Sequence, residues 1–420
     1  MRLSSRDILC PTRQTRRDVL RLGLAGLASL GLGGCGGSPP GAQRAHLNRP
    51  RYFVTILLSG GMDAIWTTDP RERTEVEPGI DLPYPSSAIV EAGALTLGPH
   101  LAAFAPVAQR LSVVNGVQVA TANHNWGWLQ FDRLRTRIDE RMPVIGSLLG
   151  EARDGQPLAV AQLPLDEMTF QRVERTAPDE RLAMAAALER QLRQLSVEHA
   201  DGPTGRSLAA AAALLERMAT ASAFVPEPPP EPPQQRAGAA KPSSSVFQLG
   251  LQRALWAIEN DLVACCQLSV DRYGQPWDSH WDNARLQTAA SDRVFPLIAR
   301  FLGHLSERRN THGLLADQTL VVIGSELGRF PRLNGALGKD HWPEVPFLFW
   351  GAGIVHQRAF GHTGTHLQSM PVSLRTGRGV AAGGELLTLD DIGTTLLGLA
   401  GVEPAPRGYV GRHLDFLVAR

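Results

Sequence analysis

Apolar residues in this chain follow two periods. Short, mostly apolar runs with β-branched and aromatic residues stand at Tyr52–Leu58, Leu111–Val117, Gln267–Val270, Thr319–Gly324 and Val345–Trp350, with a further one at Leu158–Ala161. Runs of that length bounded by Gly and polar residues predict strands buried on both faces. Elsewhere apolar residues recur at helical spacing, which predicts helices over Leu97–Leu111, Ser245–Val263 and Asp292–Leu305. Glu180–Glu198 and Ser207–Ser222 alternate Ala/Leu stripes with Arg and Glu, as solvent-faced helices do, and predict a helical insertion over about 172–222. Pro226–Ser245 can form neither helix nor central strand, because Pro lacks an N–H and fixes φ, so it is expected as a flexible or extended loop. Strands alternating with helices predict an α/β domain around a mostly parallel sheet.

Polar chemistry gathers where these strands end. Thr319–Gly324 turns at once into Ser325-Glu326 and Gly328-Arg329, and Asp340-His341 stands just before the Val345–Trp350 run. Tyr52–Leu58 runs into Ser59-Gly60-Gly61-Met62-Asp63, and Leu111–Val117 is followed by Thr121-Ala122-Asn123-His124. Gln267–Val270 leads to Trp277-Asp278-Ser279-His280-Trp281. Strand ends on one side of a parallel sheet converge, so these five clusters are expected to share one rim, where open α/β sheets bind ligands. Asp278 and His280 can turn toward one ion while the indoles exclude water; the alternative is a capped, satisfied His. Asp63 reads equally as a rim ligand or as a cap for the next helix. His362-Thr363-Gly364-Thr365-His366 either faces the rim or lines a turn.

Composition adds limits. Thr15-Arg16-Arg17-Asp18, followed by the Gly-rich apolar stretch Leu22–Leu32, has the form of a twin-arginine export leader too short for a comfortable membrane span. It ends in Leu32-Gly33-Gly34-Cys35, the shape of a lipoprotein cleavage box with Cys35 acylated, so residues 1–34 are expected to be removed and 35–50 to tether a periplasmic domain, 51–420, to the membrane. Residues 1–34 carry six Arg and two Asp, which leaves 36 basic and 39 acidic residues in the remainder and no basic patch for nucleic acid. Two of the four cysteines, Cys10 and Cys35, belong to the leader and its end; the adjacent Cys265-Cys266 read as small core residues.

A strand ending in an acidic residue, then a loop, a His and a Pro-bearing strand ending in Gly resembles the metal-site half of the alkaline phosphatase and sulfatase superfamily. SELGRFPRLN followed by GKDHWP, with WDSHWDN upstream and the twin-arginine leader, looks like the exported family of unknown function numbered 1501 within it. Leu389–Leu399 followed by Gly408–Leu417 resembles the closing helix and tail of sulfatase-like domains. The resemblance implies an alkaline-phosphatase-like three-layer α/β fold. It implies one divalent metal held by Asp278, His280 and His341, with Asp340 alongside, and a second held in part by Asp63 and Glu326. The usual Asp-His pair reads Glu326-Leu327 here, so a ligand is missing: either His124 replaces it or the second metal is absent. The ion could be zinc, calcium or manganese.

The same resemblance places a nucleophile in the loop before His124. There Asn123 occupies the position of the expected hydroxyl, and Thr121 is the nearest hydroxyl in sequence. Arg329 is a candidate for gripping a substrate anion. The expected function is an exported metal-dependent hydrolase of phosphate or sulfate esters, carried by the twin-arginine machinery; the alternative is a lipid-anchored, non-catalytic scaffold that keeps the fold.

Overall fold

The computed structural model describes residues 49–139, 142–151, 160–163, 243–272 and 274–419, with scattered positions between 190 and 212. The leader with Cys35, nearly all of the 35–50 tether, most of the expected 172–222 insertion and the proline-rich stretch up to residue 242 lie outside the described residues.

Among the described residues, eight strands form one central sheet. In chain order they are β1 (Tyr52–Leu58), β2 (Leu111–Gln118), β3 (Val160–Leu163), β4 (Cys265–Val270), β5 (Thr319–Gly324), β6 (Glu344–Gly351), β7 (Arg358–Gly361) and β8 (Leu387–Thr388). Across the sheet the order is β7-β2-β6-β5-β1-β4-β3, with β8 also paired to β2. Every pairing is parallel except the two made by β6, which runs against both β5 and β2. The mixed α/β class with a mostly parallel sheet is therefore as expected.

Alternation along β1 shows the three layers. Tyr52, Val54, Ile56 and Leu58 pack on one side with α3 (Ser243–Glu259) and α4 (Asn283–Glu307). Phe53 and Leu57 pack on the other with α1 (His124–Arg133), α2 (Ile145–Glu151) and α5 (Leu389–Ala400). Successive strand residues point to opposite faces, so a strand covered on both sides must be apolar throughout, and β1 is buried at all seven positions.

Proline accounts for two departures from simple patterning. Leu97–Leu111, expected as one helix, is a strand end at Leu95–Leu97 followed by 3-10 turns over Pro99–Arg110; Pro106 in its interior has no N–H to continue an α-helical ladder. Pro346 sits inside a central strand, where a missing donor is costly, and the pairing of β6 with β2 slips between Val345 and Phe347 to accommodate it. Cys265 and Cys266 are free and buried, and burial pushes both thiols up, Cys266 to about 12, so both stay protonated core residues. Among the described residues no helix is long and apolar enough to cross a membrane.

Candidate metal centre

Strands β1, β2, β4 and β5 all point the same way, so the loops after them leave from one edge of the sheet. The reversed β6 begins at that edge. Asp278, His280, Glu326 and His124, which follow strands, can therefore meet His341, which precedes one. Two glycines let the loops touch. Gly60 has φ +114°, and a Cβ there would come within 2.4 Å of the Asp278 nitrogen. A Cβ on Gly338 would come within 1.9 Å of the His280 carbonyl carbon, so the Gly-Lys-Asp-His segment lies directly on the Asp-Ser-His segment.

One ligand atom from each of His124, Asp278, His280 and His341 lies within 4.8 Å of the other three. The outer nitrogen of each ring meets an oxygen: His124 Nδ1 stands 2.7 Å from Glu326 Oε1, His280 Nδ1 3.2 Å from Asp340 Oδ1, and His341 Nδ1 2.6 Å from the Ala122 carbonyl. Carboxylate and carbonyl oxygens only accept, so the proton of each neutral ring belongs on Nδ1 and the Nε2 lone pair is left inward. Inside the group, Nε2 of His280 and Nε2 of His341 are 2.9 Å apart. Nε2 of His124 is buried without a hydrogen-bond partner and stands 3.8 Å from Asp278 Oδ2. Burial lowers the His341 pKa, which favours its neutral, ligating form. Three inward lone pairs beside a carboxylate repel one another in the absence of a cation. Imidazoles oriented by oxygen acceptors are how proteins present metal ligands, so these residues fit a divalent ion.

Other expected site residues take different positions. Glu326 does not join the group of four: its Oε1 accepts from the Gly60 N–H at 2.8 Å and from His124, and its Oε2 accepts from Ser325 Oγ at 3.0 Å, so it holds His124 from behind. Asp340 also stands outside, accepting from Asn334 and His280; those hydrogen bonds, Asn334 first, hold its carboxyl below the ordinary carboxylate range. Arg329 is buried rather than presented to an anion. Its guanidinium donates to the Gly60 carbonyl, to the Lys339 carbonyl at 2.9 Å and to Asp278 Oδ1 at 2.7 Å, and burial lowers its pKa. Its donors thus aim Asp278. Asn123 caps α1, accepting from the Trp126 N–H at 3.0 Å, and the Thr121 hydroxyl accepts from the Asn123 N–H at 3.0 Å.

Asp63 is 1% exposed and faces neither Glu326 nor the histidines: Lys339 Nζ lies 2.8 Å from its Oδ2, which also accepts from Asn283 at 3.1 Å. The His362–His366 loop lines a turn, with His366 paired to Glu77 at 2.6 Å.

Lys339, Asn283, Gln287 and Asn334 escaped the reading of the sequence. Only Lys339 carried a signal: it is one of two lysines in the chain, wedged between Gly338 and Asp340-His341. The amides had none, since Gln287 reaches Gly61, Trp277 and Ser279 from a helix whose exposed neighbours look the same in sequence.

No curated protein matches the chain. Among solved structures it is similar to the lipoteichoic acid synthase LtaP from Listeria monocytogenes, at 10% identity over 89% of this chain and 77% of that one, with a TM-score of 0.44. It is similar to the phosphonate monoester hydrolase SpPMH from Silicibacter pomeroyi at 13% identity over 87% and 76%, TM-score 0.38. The PsFucS1 sulfatase from Pseudoalteromonas sp. is similar at 12% identity over 96% and 76%, TM-score 0.38. The profile of the family described as "Protein of unknown function (DUF1501)" matches residues 149–376, more than half of the 420, and the chain belongs to that family.

Proposed function

We propose that the chain is an exported metal-dependent hydrolase of phosphate or sulfate esters. The convergence of three ring nitrogens, each oriented by an acceptor behind it, on one Asp278 carboxylate is the observation that carries this reading. Three nitrogen donors suit zinc or another first-row transition ion better than calcium, which takes oxygen ligands. When bound, such an ion supplies Lewis acidity to an ester oxygen and makes water a competent nucleophile near neutral pH. The chain's part is to aim the donors. Arg329 holds Asp278, Glu326 holds His124 and Asp340 holds His280, while the His280 and Asp278 side chains are 37% and 26% exposed and leave one side open to substrate.

The attacking group is water or the Thr121 hydroxyl, since the Asn123 carboxamide is engaged at the helix end. Export by the twin-arginine route and acylation at Cys35 belong to the same proposal and rest on the leader. Mass spectrometry of the mature N-terminus tests them; cleavage elsewhere without lipid removes the anchor.

A second reading has its own observation. Four protein donors would fill a four-coordinate ion, and sites closed by protein ligands hold structural ions, so the ion would stabilise a lipid-anchored scaffold without turnover. Purified protein is to be analysed for metal and assayed on aryl phosphate and aryl sulfate esters. Turnover that depends on the ion supports the hydrolase; a tightly held ion with no turnover on either ester supports the scaffold. With turnover present, Thr121→Ala separates the routes: loss of rate with the ion retained assigns the hydroxyl as nucleophile, and an unchanged rate assigns water.

A further inference from the structure

We infer that this chain has one metal position and not two, because the ammonium of Lys339 is the cation that the Asp63 carboxylate holds. The inference rests on the reading of the His124, Asp278, His280 and His341 group as the metal centre. The resemblance to two-metal enzymes implied a second ion near Asp63 and Glu326, and neither residue fits that task.

Both oxygens of Asp63 are engaged. Its Oδ2 is 2.8 Å from Lys339 Nζ and accepts from Asn283 Nδ2 at 3.1 Å, while its Oδ1 accepts from the Ile65 N–H at 3.3 Å. The side chains of Lys339 and Asp63 are 0% and 2% exposed. Asp81 adds a second carboxylate 3.5 Å from the same ammonium. A buried carboxylate requires a partner cation or hydrogen bonds, and here both are supplied by covalently tethered groups. Glu326 is turned to its own neighbours: Oε1 accepts from Gly60 and His124, and Oε2 stands 3.0 Å from the Ser325 hydroxyl, which also meets the Leu58 carbonyl at 2.6 Å.

The ammonium is also held in place. The Lys339 N–H donates to the Ser279 carbonyl at 2.8 Å, its carbonyl accepts from Arg329 at 2.9 Å, and Gly338 before it packs against His280. The segment that delivers His341 to the metal centre thereby delivers Lys339 to Asp63. A divalent ion at Asp63 would meet a fixed, buried positive charge at contact distance.

The test uses the full mature chain loaded with zinc, freed of excess ion and analysed by inductively coupled plasma mass spectrometry and native mass spectrometry. One ion per chain is expected in the wild type, the same count in Asp63→Asn, and none in His341→Ala. Two ions in the wild type, falling to one in Asp63→Asn, would overturn the inference. Should Asp63→Asn fail to fold, the wild-type count decides alone. Should the wild type hold no ion, the metal-centre reading fails, and the Lys339–Asp63 pair is judged apart from it by Lys339→Met, Asp63→Asn and the double variant in denaturant unfolding. A double variant less destabilised than the sum of the two single ones supports the pair; additive effects overturn it.

Discussion

Asp278 and Asp63 look alike in sequence, each a carboxylate a few residues beyond a buried strand, yet they end in opposite surroundings. Asp278 faces three imidazoles, keeps 26% of its side chain exposed and is braced from one side by Arg329. Asp63 is sealed in with a lysine and two amide-bearing side chains, Asn283 to its carboxylate and Gln287 to its backbone N–H. The first environment leaves three inward ring lone pairs against a carboxylate that Arg329 pairs on one oxygen only, which is a demand for an ion. In the second the Lys339 ammonium already stands between the Asp63 and Asp81 carboxylates, which ties the loop after β1 to the segment before β6. A carboxylate at a strand end is therefore ambiguous until its partner cation is known.

The contrast can be broken most directly at His341. His341→Ala is expected to remove the bound ion and to cut ester turnover by at least about 10³-fold, read by metal analysis and steady-state assay together. Ion content unchanged in that variant would mean that the four side chains do not form the centre. Lys339→Met should act on the other region alone. It leaves the Asp63 carboxylate buried without its cation, at a cost of about 3–5 kcal/mol in denaturant unfolding, with ion affinity unaltered in the folded fraction. A parallel loss of affinity would show that the two regions are one site.

A third environment sharpens the comparison. His100 stacks on Trp66 with ring centroids 4.2 Å apart, and its ring nitrogens meet the hydroxyls of Thr288 and Ser291, each at 3.1 Å. Burial lowers its pKa from 6.5 to about 4. The folded value lies below the unfolded one, so the unfolded chain takes up the proton first as the pH falls. The stability contributed by the neutral ring is fully present above pH 6.5 and is lost as the pH falls toward 4, by about 3 kcal/mol. Unfolding measured across that window is expected to show this slope, reduced in His100→Gln. The smallest effect is expected for Glu326→Gln, which keeps an acceptor behind His124 but removes its charge: about a tenfold loss of ion affinity in a competitive chelator titration, with the ion count unchanged.

Much of the architecture was legible from patterning. β1 and β5 carry the expected boundaries, and β4 and β6 differ by one or two residues, because strands covered on both faces must be apolar at every position. Leu97–Leu111 misled because its apolar spacing suits a helix, whereas the chain runs there in 3-10 turns in which Pro106 removes one backbone donor. At the site, Asp278, His280, His341 and His124 were each named from local sequence. Asp340, Glu326 and Arg329 were named too, as direct participants; in the structure they hydrogen-bond to His280, His124 and Asp278.

By itself, the sequence determined which elements form and which chemical groups stand at their ends, since both follow from short-range periodicity and turn residues. Tertiary structure alone decided which groups face one another. Asp63 and Lys339 are separated by 276 positions, and His124 and Glu326 by 202, so no local pattern pairs them. They meet because the loops after the parallel strands leave from one edge, because β6 runs backward to begin there, and because Gly60 and Gly338 let those loops pack in contact.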